Sequence, residues 1–164
     1  MVGPTVEVEE DGTFVLRNLP PVSVEALLSV PSVLSEEGVD ITERLFPTSY
    51  PSDPDKEAEW ERLARPDLKA LFASQSEIIR DDLHSLTAEP DWAGFRLPLP
   101  ARHRAAWMAG LNAARLTLGA KHSITEADME SEPDLNEPEE KDIALLQIHV
   151  LGYVLGLIVE ADDG

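Results

Sequence analysis

The sequence predicts a mainly α-helical protein, a small bundle of about five helical segments carrying an N-terminal β-hairpin. Three observations carry that expectation. Trp107, Met108, Leu111, Ala114 and Leu118 recur at helical spacing and define an apolar stripe. The run from Ile143 to Val159 holds no Asp, Glu, Lys or Arg and is apolar in nearly every direction around a helix. At the N-terminus, Val6 and Val8 alternate with Glu7 and Glu9, Asp11-Gly12 supplies a turn, and Phe14 and Leu16 resume the alternation. At 164 residues, 43% of them hydrophobic, the chain can bury a proper core, and one domain over 1–164 is expected.

The elements follow in order. The hairpin spans about 6–17 and must lean on helices, since two strands alone are marginal. Ser23 is placed as the N-cap of a helix bearing Val24, Leu27, Leu28 and Leu34, which Pro31 should kink or divide. Ile41 to Tyr50 reads as a loop around Pro47, pinned by Leu45, Phe46 and Tyr50. Asp53-Pro54 opens a short helix presenting Trp60 and Leu63, and Pro66-Asp67 starts another that runs to about Leu86. That second helix lines up Leu68, Leu71, Phe72, Ile78, Ile79 and Leu83. Glu89 to Pro100, with three prolines and a glycine, reads as a linker whose Trp92, Phe95 and Leu97 form an extended or irregular cover. The Ala101–Thr125 stretch carries the clearest helix, with Gly119 expected in a left-handed cap and Lys121 at the carbonyl end. Nine acids from Thr125 through Asp142 predict a solvated, mobile acidic loop over about 126–137. The last helix starts near Glu137-Pro138, runs to about Glu160, and should be the enclosed central helix.

Composition narrows the function classes. Thirty-two acids against thirteen bases give a formal charge of -19, which repels phosphate backbones and anionic membranes, so neither nucleic acid nor membrane is an expected partner. The absence of cysteine excludes disulfides, thiolate catalysis and cysteine-ligated zinc. No basic, apolar leader begins the sequence, which makes the cytoplasm the expected location.

Among single residues, Arg115 is the most pointed, because it falls within the Trp107–Leu118 stripe with Asn112 at the margin. A guanidinium there needs a carboxylate, several carbonyls, or a path to water. The expectation is a buried Arg115 ion-paired with Asp81, Asp82 or Asp142, with Asn112 as an interhelical hydrogen bonder. The competing reading is a ligand-gripping pair. Gly152 and Gly156, four apart, point to close approach of a neighbouring backbone or a second subunit. Asp128, Glu130, Glu132, Asp134, Asn136 and Glu139 occupy calcium-loop positions, but Pro133 stands where the sharp turn needs glycine. His84, His103, His122 and His149 lack zinc-motif spacing. No nucleophile–base constellation or phosphate-cradling glycine loop is present, so no catalytic residue, metal or cofactor is assigned.

Several stretches together resemble a known family. They are Arg44-Leu45-Phe46-Pro47 with Tyr50, Glu57-Ala58-Glu59-Trp60 with Arg62-Leu63, and Asp67-Leu68. Most specific are Trp107, Leu111-Asn112, Arg115-Leu116, Leu118-Gly119 and Ile124-Thr125. With the Asp11-Gly12 hairpin and Glu25–Leu28, the sequence is similar to the bacterial, mainly actinobacterial, family Domain of Unknown Function 2017 across nearly its whole length. It departs at Pro31 and in the last helix, where a more amphipathic segment with an aromatic is expected. The resemblance implies no defined activity. Family members are sometimes labelled transcriptional regulators, which the acidic charge does not favour. They tend to be encoded near an adaptor of an ATP-dependent protease, an associational link to proteolysis.

These readings converge on a soluble, non-enzymatic interaction or regulatory protein with an unidentified protein partner, and with a homodimer as a further expectation. The alternative is a small-molecule binder or enzyme using a pocket around Arg115 and Asn112.

Overall fold

The computed structural model describes residues 3–36, 41, 44–45, 49–90 and 93–161. The chain is mainly α, with five helices and a small antiparallel sheet among those residues. In order these are β1 (Thr5–Val8), β2 (Phe14–Leu19), α1 (Pro21–Leu34), α2 (Pro54–Leu83), β3 (Thr87–Ala88), β4 (Phe95–Leu99), α3 (Arg104–Lys121), α4 (Glu126–Glu130) and α5 (Glu140–Ala161). A single turn of 3-10 helix, Ala101–His103, leads into α3.

The hairpin forms as its alternation requires, with Thr5 opposite Arg17 and Val8 opposite Phe14. Gly12 takes φ 89°, which glycine reaches without penalty, and the Asp11 carboxylate accepts from the Thr13 amide at 2.9 Å. The hairpin is nevertheless only half of a four-stranded sheet of order β1-β2-β4-β3. Phe95–Leu99 is therefore a paired inner strand and not a linker. Its alternation of buried Leu97 and Leu99 with half-buried Arg96 and Pro98 carries the strand signal, which the surrounding prolines mask. Trp92 lies outside the described residues.

Proline is more permissive here than expected. Helix α1 starts earlier than Ser23, with Pro20 as N-cap and Pro21 in the first turn, and it runs through Pro31 to Leu34 without dividing. Pro31 lies in the final turn, where it forfeits one hydrogen bond, to the carbonyl of Leu27, while its ring is buried beside Val30 and Val33. Likewise Pro54–Leu83 is one 30-residue helix through Pro66, not two. Asp53 caps it as expected, accepting from the Lys56 amide at 3.1 Å. The loop expected at Ile41–Tyr50 is helical at the described residues Ile41, Arg44 and Leu45, with Ile41 buried and Tyr50 exposed, while Phe46 and Pro47 lie outside the described residues.

The core joins one side of each major element: Leu16 and Leu19 of β2, Leu27 and Val30 of α1, Ile79 and Leu83 of α2, Leu97 and Leu99 of β4, Trp107 and Leu111 of α3, and Leu151 and Ile158 of α5. Trp107 is fully buried among them. Gly110 lets α2 and α3 approach, because a Cβ there would run into Ile79 Cδ1.

Helix α3 does not stop at Gly119. It continues to Lys121 and closes on Ser123 at φ 52°, with Ser123 N–H donating to Ala120 O and Ile124 N–H to Gly119 O. That pattern of bonds is a Schellman cap built on serine. Gly119 instead gives room to Arg44, whose Nη1 lies 2.6 Å from where a Cβ would stand. The acidic segment is not a loop throughout. Its first residues form α4 under a capping box of Thr125 and Asp128, and Asp142 accepts from the amides of Asp134 and Glu139 at 3.1 and 2.9 Å.

Candidate functional site

Arg115 is half-buried between α3 and α5, as its place on the stripe requires, but no carboxylate meets it among the described residues. Its Nε donates to Ile148 O at 3.1 Å. The guanidinium lies against Gly152, with Cζ and Nη2 each 3.0 Å from where a glycine Cβ would stand. Two residues singled out separately thus form one contact. Gly152 makes the space, and the carbonyl one turn earlier on α5 takes the hydrogen bond. Asn112 does not join them, since its side chain is exposed on α3. Gly156 has open space around it, with nothing within 4 Å of a built Cβ.

That difference gives a paired prediction. Gly156→Ala should stabilise the protein by about 0.5–1 kcal/mol, since alanine restores helix propensity and meets nothing. Gly152→Ala should gain less or destabilise, because its Cβ must push the guanidinium away from Ile148. Urea midpoints of the two variants check the order.

The carboxylate expected for Arg115 is committed elsewhere. One oxygen of Asp82, Oδ2, accepts from Trp107 Nε1 and from His103 Nδ1, each at 2.8 Å. Asp82 is buried, and an ionised carboxylate can only accept, so the imidazole donates from Nδ1. The pair ties the last turn of α2 to the start of α3. An Asp–His pair can orient a general base, yet among the described residues Asp82 is the only side chain hydrogen-bonded to that ring. Its signal in the sequence was the indole itself, since a buried Trp N–H needs an acceptor and Asp82 lies on the same stripe as Ile78 and Ile79.

A second polar centre closes the sheet. Arg17 reaches buried Glu89 through two bonds of 2.8 Å and touches Glu7 at 3.3 Å. Those hydrogen bonds from Arg17 hold the Glu89 carboxyl below its usual range, and the guanidinium is correspondingly raised. A third joins α4 to α5. Asp128 takes Lys141 Nζ at 2.9 Å and both the amide and hydroxyl of Thr125 at 2.9 Å. The Lys141 bond is the largest of these causes, and together they lower Asp128 from 3.8 to about 2.

A depressed carboxylate contributes stability that is complete above its unfolded pKa and disappears as pH falls through the folded one. Asp128→Asn should therefore melt below the native chain at neutral pH, with the gap closing between pH 3.8 and about 2. Melting temperatures across that range check it.

The exposed feature of most consequence is apolar. Helix α5 buries Ala144, Leu145, Ile148, Leu151, Val154 and Ile158 against the core. Ile143, Tyr153 and Val159 remain 48%, 55% and 42% exposed. The helix expected to be enclosed is thus left partly exposed, although Val150, Leu155 and Leu157 also pack against the core. Helix α2 behaves similarly: buried Ile79 and Leu83 lie at its C-terminal end, whereas Trp60, Leu63 and Leu71 are exposed.

The profile of the family described as Domain of unknown function (DUF2017) matches residues 6–161. The chain belongs to that family. No curated protein and no solved structure matches it. The span of this DUF2017 match takes in all of the sheet but Thr5, all five helices and the Asp82–His103–Trp107 cluster.

Proposed function

We propose that this DUF2017 protein is a non-enzymatic cytoplasmic interaction or regulatory protein whose partner docks on the outward side of α5. The observation that supports the reading is the exposure of Ile143 and Tyr153 on a helix with no charged residue between them. Exposed apolar surface of this kind marks contact sites. The length and apolarity of α5 would also allow a membrane span. Gln147 and His149 within it, the acids at both ends and its seat on the core favour a protein contact instead. A role alongside regulated proteolysis accords with the family's gene neighbourhood and needs its own test.

A pocket around Arg115 and Asn112 is the weaker reading, because the guanidinium is spent on a carbonyl and Asn112 points away. The deciding experiment places a photo-cross-linking amino acid at Tyr153 in the native host, with Lys69 on α2 as control position. A discrete protein adduct from position 153 alone supports docking. Equal labelling at both positions, or none at 153, contradicts it.

A further inference from the structure

The partner of the α5 face can be specified further, on the reading that this face is a docking surface. On its outward side, Ile143, Leu146, Val150, Tyr153 and Leu157 follow at steps of three, four, three and four. That 3.5-residue repeat is the spacing by which one helix packs along another, and a lipid-facing surface has no need of it. Ile143 and Tyr153 are exposed and Leu146 is half-buried, whereas the half-buried Val150 and Leu157 also pack against the core, so the seam is open at Ile143 and Tyr153 and partly covered between and beyond them. At 1.5 Å per residue it covers about 21 Å, or four helical turns. Gly156, on its flank, has nothing within 4 Å of where a Cβ would stand.

Charge selects between occupants. The middle of the seam is neutral, whereas Glu137, Glu139 and Glu140 are exposed at its N-terminal end and Glu160 at its C-terminal end. The lysine beside the first group, Lys141, is engaged by Asp128. A second copy of the chain, itself at -19, would bring acidic ends against acidic ends in either orientation. We infer that the α5 seam receives a basic amphipathic helix of another protein, at least four turns long, apolar at heptad positions and carrying Lys or Arg near both ends.

Two synthetic helical peptides test this against the full chain. Both carry the same four-turn apolar heptad seam, one with lysines flanking its ends and the other with glutamates, and binding is followed by fluorescence anisotropy. The lysine peptide is expected to bind at least tenfold tighter than the glutamate peptide and to weaken as salt rises. The double variant Ile143→Ala, Tyr153→Ala should lose at least tenfold for it, and Glu139→Lys, Glu140→Lys should narrow the gap between the peptides. Amide exchange on complex formation should slow within 143–157 and leave α2 unchanged. Equal affinity for both peptides, or no binding of either, overturns the inference. So does a chain that sediments alone as a dimer and becomes a monomer in the Ile143→Ala, Tyr153→Ala variant. That last result assigns the seam to a second copy while leaving the protein-docking reading in place, whereas an empty cross-link at position 153 removes both.

Discussion

Trp107→Ala is expected to destabilise the protein by about 3–5 kcal/mol, more than any other single truncation in the core. The indole is fully buried in the core and bonded to Asp82 of α2, so its loss leaves a large cavity there. It also removes one of the two donors to Asp82 Oδ2, leaving a buried carboxylate with His103 alone. Trp107→Phe separates these effects. It refills most of the volume but supplies no N–H, and should cost about 1–3 kcal/mol, the price of the unsatisfied acceptor. Equilibrium urea unfolding of both variants measures the two contributions.

The second large effect comes from backbone geometry. Across the β2–β4 pair, Leu16 faces Leu97 but Leu19 faces Phe95, so β2 carries one extra residue in a bulge. Asn18 absorbs it at φ 59°, and Gly94 stands opposite at φ 120°. A Cβ on Gly94 would lie 2.8 Å from Leu19 O and 3.0 Å from Asn18 C, both main-chain atoms that the sheet holds in place. Gly94→Ala should therefore cost about 1–3 kcal/mol for the backbone conformation alone. The collision adds to that. The Gly94 carbonyl also accepts from the Glu89 amide at 2.8 Å, so a shift in Gly94 disturbs the Glu89–Arg17 pair. The expected signature is a lower urea midpoint together with faster amide exchange at Glu89, as in no other glycine variant.

The sequence was most legible where local rules act alone. The hairpin, the Asp53 cap, the α3 stripe and the carboxyl-terminal helix all follow from period and turn chemistry. It was least legible where tertiary packing overrides a local signal. Pro31 and Pro66 read as breaks, yet neighbouring turns and buried contacts carry the helices through them. Phe95–Leu99 lies among prolines that hide its strand character, and only the partner strand β2 makes it one. Gly119 looked like a cap because its conformational freedom suits one, but it is small for the sake of Arg44. Of the candidate site, Arg115 and Gly152 were identified without their shared contact. Asp82 was named for Arg115 and in fact serves Trp107 and His103, since which donor an acid meets depends on helix placement that spacing does not encode. The enclosure of α5 was inferred from apolarity in all directions, a pattern that also fits a helix with one side reserved for a partner.

Helix α5 presents Tyr153 to solvent while its buried residues hold it on the core. The most direct test of this arrangement is the urea midpoint of Tyr153→Asp. A free outward side predicts stability within about 0.5 kcal/mol of the native chain, as for an ordinary surface substitution. A loss of several kcal/mol, as for a charge forced into a core, would mean that Tyr153 is enclosed and that no such face is presented.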